Sequence, residues 1–362
     1  MNSAVAHPVA GPSCPVRVTS PAPRAVWRQL ASVDENTLAS QTPTWLDCIC
    51  ATGPFEDASR LYEFEGGRRL VVPLARRRGW PAWLVGEDSW PSDWGIGGPL
   101  VSPGTPDETE ARVVFDDLAR RPALRVGVRF GPGADPVWAR AAPQSFGAEE
   151  HMTQVLDLDG GFGTVWDRRF HGRVRRAVRR AERSAIKVEV DRTGRLVPAF
   201  YHLYEQSMVR WARQQHEPLA LARWRQTRSF PRQRLEAVAD RFGESCAIYL
   251  AWCAGEPAAA IVVLRHGDHA KYWRGAMNRD LAHPVRANFL LHHLAVEDAC
   301  EAGCRYYHLG DSRPGSSLAH FKDGFGAESR STPAFLRERL PVSAADRRLR
   351  SAVKRLLRFE DA

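Results

Sequence analysis

The sequence predicts an α/β (α+β) protein built from two tandem domains, each a mixed, twisted sheet flanked by helices. Three observations carry that expectation. The 362 residues are enough for two domains of ordinary size. Short apolar runs bounded by Gly turns alternate with longer segments of helical period. The second half then repeats the strand-and-helix logic of the first. Hydrophobic residues at 44% and charged residues at 26% fit a folded globular chain. No apolar run approaches the roughly 18 residues that a membrane-spanning helix needs, so no transmembrane segment is expected.

Residues 1–23 are rich in Ala, Pro and Ser and lack the charged and apolar regions of a signal peptide, so they read as a disordered lead-in to a cytoplasmic chain. Residues 24–160 form the expected N-terminal domain. In it 43–51 reads as a short helix, and strands over 60–65 and 69–75 are joined by the Gly66-Gly67 hairpin turn. A helix over 107–120 carries Glu108 and Glu110 in its first turn and Arg120 at its end, and strands follow over 124–130 and 151–158. Residues 161–340 form the expected C-terminal domain. Helices are predicted over 196–215 and 222–241. A meander follows over 246–252, 258–265 and 271–274, then a helix over 284–302 closed by Gly303, and a buried strand over 305–309. A last strand is expected over 335–339, and 341–362 is a basic amphipathic tail helix. Meander, helix, strand is the order of an acetyltransferase-type (GNAT) fold, expected here twice.

Seven cysteines, at 14, 48, 50, 246, 253, 300 and 304, show no paired C-x-x-C spacing. They read as reduced, mostly buried thiols, with Cys300 and Cys304 in core packing. Of the histidines, His292-His293 and His266/His269 stand close together, but the only carboxylate close to the second pair is the turn residue Asp268, no Cys stands at ligand spacing, and no metal site is expected. The formal net charge of +9 and pI near 9.5 favour an anionic partner: nucleic acid, a phosphorylated cofactor or a membrane surface.

The charge is concentrated between the halves. From Trp166 to Arg183 there are eight arginines, offset only by Asp167 and Glu182. As one helix this segment places Phe170, Val174, Ala177, Val178 and Ala181 on one face, and Arg173, Arg176, Arg179, Arg180 and Arg183 on the outside. Such a stripe is either an ordinary solvated face or a site for a phosphate backbone.

Of 51 basic residues only Lys187, Lys271, Lys322 and Lys354 are lysines. Lys322 stands in Leu318-Ala-His-Phe-Lys-Asp-Gly-Phe-Gly326. An ammonium is a compact, rotatable charge where guanidinium is a planar fork. In a chain that otherwise writes its positive charge as Arg, this Lys marks either a snorkelling helix end or a position that needs an ammonium.

Three segments in order resemble the FemABX-type aminoacyltransferases and their CelD-like acetyltransferase relatives, within the GNAT superfamily. They are the basic helix ending at 176–188, then 271–276 with the following helix and Tyr306-Tyr-His-Leu-Gly-Asp311, and finally 318–326. The resemblance covers about 150–335. The N-terminal half matches only in element order and in the loop Asp93-Trp-Gly-Ile-Gly-Gly-Pro99. It implies GNAT-like domains and transfer of an amino acid from aminoacyl-tRNA onto an amine. The long coiled-coil arm of the Fem enzymes has no counterpart, which favours a smaller acceptor than a cell-wall precursor. It also places Phe321-Lys322 in the substrate cleft and matches Arg210 to a substrate-binding arginine.

The residues themselves bear on the acyl donor. An acyl-CoA enzyme cradles pyrophosphate on a Gly-containing loop that starts a helix, yet 283–290 contains no glycine. This argues for a larger donor. Lys322 is then the expected cation for an oxyanion or a tRNA phosphate, with Phe321 and Phe325 as aromatic walls. Asp311 either takes the proton of the attacking amine or caps a turn. Tyr272 and Arg274, alternating with Trp273, are expected to share one face, as cleft lining or edge packing. Asp93 and Trp94 either shape the acceptor pocket or make a tight structural loop.

The expected function is aminoacyl transfer from aminoacyl-tRNA, as co-substrate and with no bound cofactor, to a small-molecule amine or hydroxylamine. The alternatives are acyl-CoA-dependent N-acyl transfer in polysaccharide or metabolite modification, and a non-catalytic nucleic-acid-binding GNAT protein.

Overall fold

The computed structural model describes residues 5–9, 16–91 and 93–356. The chain runs β1 (Val5–Val9), β2 (Val16–Ser20), α1 (Arg24–Val33), α2 (Pro43–Thr52), β3 (Phe55–Asp57), β4 (Arg60–Phe64), β5 (Arg69–Val72), β6 (Ala75–Arg77), β7 (Gly86–Asp88), β8 (Leu100–Ser102), α3 (Glu108–Arg120), β9 (Arg125–Arg129), α4 (Val137–Ala141) and β10 (Gly147–Asp157). It continues α5 (Gly161–Thr164), α6 (Gly172–Glu182), β11 (Ile186–Asp191), α7 (Val197–Gln214), α8 (Leu219–Ser229), α9 (Arg232–Phe242), β12 (Cys246–Cys253), β13 (Glu256–His266), β14 (His269–Met277), α10 (Arg279–Ala282), α11 (Ala287–Glu301), β15 (Tyr306–Asp311), α12 (Ser317–Asp323), β16 (Glu328–Glu338) and α13 (Val342–Leu356). Two compact units result: Met1–Met152 with Arg330–Val342, and Thr153–Ser329 with Ser343–Ala362.

In the first unit an antiparallel sheet runs β1-β2-β4-β5-β8, and β16, β9, β7, β6 and β3 pair in that order. The lead-in expected to be disordered over 1–23 is overturned at Val5–Val9, which forms β1 against β2, and from Val16 onward. The alternation Val-Arg-Val-Thr makes β2, which pairs with β4 and buries Val16 and Val18. Residues 1–4 and 10–15 lie outside those described. Gly66 and Gly67 both take φ near +87°, a hairpin geometry that only glycine adopts without strain. Asp107 and Glu110 cap α3 reciprocally. A buried trio closes the unit: Arg60 and the Tyr62 hydroxyl both donate to Asp117.

The strand expected at 335–339 is the end of the longer β16, which pairs antiparallel with β9 from Ala334↔Arg129 to Glu338↔Arg125. Phe335 packs edge-on against Phe115 and Phe130 in this unit's core. Residues 330–340 therefore belong to the first unit, which corrects the C-terminal boundary drawn at 161–340.

In the second unit the strand order is β11-β12-β13-β14-β15-β10, antiparallel except for β14 with β15. Ala247, Tyr249, Ala251, Ala259, Ile261 and Val263 share a core with α6 and α11. The intervening Ile248, Leu250, Val262 and Leu264 are buried on the other face, where α7 and α9 pack. The helix expected over 222–241 is broken into α8 and α9 at Pro231, whose ring and missing N–H end α8. The basic helix expected over 166–183 begins only at Gly172. Residues 165–169 form a π-turn, and Phe170 is extended and buried. No helix is long and apolar enough to cross a membrane among the described residues.

Candidate active site

β14 and β15 run parallel and pair over three positions, His269↔Tyr306, Ala270↔Tyr307 and Lys271↔His308. Their pairing stops there, because β14 carries a bulge: Val262 opposes Arg274 while Val263 opposes Tyr272, so Trp273 is an extra residue. A bulged strand bends. From Tyr272 onward β14 leaves β15, and the ends of the two strands splay. The opposite edge of β15 stays paired with β10, from Asp157↔Tyr306 to Thr153↔Asp311. The result is an opening between parallel strands at their carboxyl ends, where a ligand can approach backbone groups.

α12 closes one end of this opening. Ser316 caps it by accepting from Ala319 N at 3.1 Å. The side chain of Gln154, on β10, donates to Asp323 at 2.5 Å and accepts from Ser312 at 2.5 Å. These bonds fix the helix so that Lys322 points inward. Its side chain is only 2% exposed, and Nζ donates to Gly310 O at 2.8 Å and to Asp311 O at 2.6 Å. The two glycines after it permit close packing. A Cβ on Gly324 would lie 2.8 Å from Val174 of α6, and one on Gly326, at φ +77°, would lie 2.4 Å from Arg169 O.

Residues 168–323, spanning α6 to α12, match the family model described as an acetyltransferase (GNAT) domain. The chain carries a GNAT acetyltransferase domain, that of an acyltransferase. Comparison with curated protein sequences finds no match. Among solved structures the chain is similar to FemX, with a TM-score of 0.63 at 11% identity, over 88% of this chain and 96% of that one. It is similar to a tandem GNAT protein of the clavulanic acid biosynthesis pathway, with a TM-score of 0.51 at 13% identity, over 93% and 98%. The C-terminal domain of a protein named as a lysylphosphatidylglycerol synthetase, from Agrobacterium fabrum, matches with a TM-score of 0.50 at 15% identity, over 92% and 97%. At these identities the likeness establishes the fold, a tandem GNAT architecture.

Within the GNAT domain, burial pushes the Lys322 amine down to about 8, and the nearby Asp311 charge partly restores it. His292 of α11 is buried, its Nδ1 lying 3.2 Å from the Tyr307 hydroxyl. Burial, together with the charge of Lys322, lowers it to about 3, so it is a neutral imidazole at ordinary pH. Tyr272 packs edge-on to His292 at 4.8 Å, and burial raises its phenol to about 12. That phenol folds back over Gly275, where a Cβ would meet the hydroxyl at 2.2 Å. Phe321 is half-buried between Phe289 at 4.9 Å and His292 at 5.5 Å. Asp311 is exposed at the end of β15. Tyr272, His292, Phe321, Lys322 and Asp311 thus gather at the splay. Burial raises the Cys50 and Cys300 thiols to about 11, which leaves neither a ready thiolate nucleophile.

Several expected site residues fall elsewhere. Phe325 is fully buried against Phe170, Phe289 and His292, so it is a core ring and no cleft wall. Tyr272 and Arg274 do not share a face, because the bulge at Trp273 shifts the alternation. Tyr272 joins the α6/α11 core, while the Arg274 guanidinium sits over Phe230 at 5.0 Å, at the α8–α9 junction. Arg210 of α7 donates to Met277 O at 2.7 Å, tying that helix to the end of β14. Trp94 is 1% exposed and edge-on to Trp45 in the first unit's core, and Asp93 is an exposed residue of a left-handed turn. These two form a structural loop.

Arg173, Arg176, Arg179, Arg180 and Arg183 are all exposed along α6, over buried Val174, Val178 and Ala181. Arg173 donates to His320 O of α12. His292 and Tyr307 were not singled out from the sequence as site residues. The signal for His292 is that it and His293 interrupt the apolar run from Phe289 to Val296.

Proposed function

We propose that the protein transfers an aminoacyl group from aminoacyl-tRNA to the nitrogen of a small amine or hydroxylamine at the splay of β14 and β15. One observation carries the reading. The exposed arginine stripe of α6 is joined to α12 through Arg173 and His320 O, two residues from Lys322. A polyanion lying along α6 therefore ends beside the buried ammonium. A similar fold is found in the protein named as a putative lysylphosphatidylglycerol synthetase, which supports this reading.

The chemistry asks for positioning and charge stabilisation. The acceptor nitrogen attacks the ester carbonyl, a C–N bond forms and the tetrahedral oxyanion develops. Two N–H groups of Lys322 are held by Gly310 O and Asp311 O, which leaves the third to donate to the oxyanion. The exposed Asp311 carboxylate takes the amine proton and returns it to the departing ribose oxygen, completing ester cleavage. Half-buried Phe321 forms a wall that holds the acyl side chain.

Labelled aminoacyl-tRNA should be consumed in an enzyme- and acceptor-dependent way, with binding that weakens steeply between low and moderate salt. Equal rates from acyl-CoA would sink the tRNA reading. Acyl-CoA is the second reading, and a specific feature favours it. No side chain caps the N-terminus of α11, and its N-cap Arg286 takes φ +59° beside the helix-start amides.

A further inference from the structure

The loop between β6 and β7, in the first unit, plays no part in the chemistry above. It reads Arg76-Arg-Arg-Gly-Trp-Pro-Ala-Trp-Leu84. Trp80 is 57% exposed, Trp83 60% and Leu84 42%, so three large apolar side chains project to solvent within five residues. Isolated exposed hydrophobics are ordinary, but a cluster of this kind marks a contact surface. From Ala75 to Gly86 there are three arginines and no acid. Arg76 is neutralised by Glu56 and Glu87, whereas Arg77 and Arg78 are exposed.

The loop is held rigidly at its base. Arg78 N donates to Pro54 O at 2.9 Å and its guanidinium to Phe55 O at 2.9 Å. A 3-10 turn over Ala82–Leu84 follows Pro81, with Leu84 N donating to Pro81 O at 3.0 Å. The backbone that carries the apolar tips is therefore tied on either side of them, which lowers the ordering cost of docking.

We infer that this loop is an interfacial anchor for an anionic phospholipid surface. Indole combines a large apolar body with one N–H, and it settles at headgroup depth, where one side is apolar and the other wet. Arg77 and Arg78 stand beside it to meet lipid phosphates. Three side chains at a loop tip are far from the roughly 800 Å² per partner that a stable protein interface buries. A bilayer needs no such area, because it deforms around the inserted rings.

Co-sedimentation of the full-length protein with vesicles of phosphatidylcholine, with and without phosphatidylglycerol, tests the inference. Binding should require phosphatidylglycerol. The double variant Trp80→Ser/Trp83→Ser keeps every positive charge, including the α6 stripe, and should bind roughly tenfold or more weakly. Arg77→Gln, which leaves the Arg78 bond to Phe55 O in place, should lose roughly fivefold and flatten the salt dependence. Both variants alter exposed side chains, and unchanged melting curves would confirm that they fold. The inference is overturned if wild type binds neither vesicle. It is also overturned if the Trp variant binds like wild type, which would make the attraction diffuse charge alone. A wild-type dimer in solution that the Trp variant converts to monomer would equally overturn it, by assigning the loop to a contact between two copies of the chain.

Discussion

Lys322→Met removes the ammonium while keeping most of the side chain's volume, and it separates function from support. Burial drops the amine from its ordinary 10.5 to about 8, so keeping it charged in the fold costs about 3 kcal/mol at neutral pH. The substitution relieves that cost but gives up the bonds to Gly310 O and Asp311 O, worth about 1–2 kcal/mol each. The two nearly cancel, and the melting temperature should move by no more than about 4 °C. Acyl transfer should nevertheless fall by about 10²–10³, the loss expected when an oxyanion donor is removed. The unfolded chain holds this proton up to about 10.5 and the folded one releases it near 8. Wild-type stability should therefore rise with pH across that window, whereas the Met variant shows no such rise. Wild-type activity should decline above about pH 8 as the ammonium is lost. Single-turnover transfer from pH 6 to 10, paired with thermal melts, reads all of this. A Met variant that melts well below wild type yet transfers within threefold of it would show that Lys322 only braces α12.

Neutralising Arg176, Arg179, Arg180 and Arg183 to Gln should lower the slope of log affinity for tRNA against log salt by roughly 0.7–0.9 per lost phosphate contact, read by fluorescence anisotropy; an unchanged slope would remove α6 from the interface. His292, lowered to about 3 by burial, should show no imidazole titration by NMR between pH 5 and 9. Its contribution should be lost as pH falls from about 6.5 towards 3, making the second unit acid-sensitive there. Gly326→Ala places a Cβ 2.4 Å from Arg169 O at φ +77°, so a loss of several kcal/mol or failure to fold is expected in urea melts. Asp117→Ala leaves Arg60 buried without its carboxylate and should cost about 3–5 kcal/mol by the same measurement.

Much of the second unit was legible, because its signals are local. The meander from Cys246 to Arg274, the helix closed by Gly303 and the strand ending at Asp311 follow from period and turn chemistry alone. Lys322 was legible as a rarity of composition. The failures share a cause, which is that the deciding contact is distant in sequence. β2 looked like part of a Pro-rich lead-in because its partner β4 begins some forty residues later. The bulge at Trp273 is set by the opposing β13, so a strict alternation put Tyr272 and Arg274 together when the fold parts them. Phe325 read as a cleft ring until Phe170 and Phe289 were seen to enclose it. Pro231 is a different case: its signal was local and still lay inside a predicted helix.

β16 has a consequence for how the chain is made. The first unit is interrupted after Met152 and resumes at Arg330. During synthesis at roughly 5–20 residues per second, β9 emerges and then waits on the order of 10–40 s for the strand that covers its edge. Throughout that interval the ribosome-bound protein exposes one unpaired edge of β9, whose other edge pairs with β7, and the aromatic hollow that Phe335 later fills. Chaperone dependence should therefore peak while the GNAT domain itself is being translated, and should end only when its last helix has already cleared the exit tunnel.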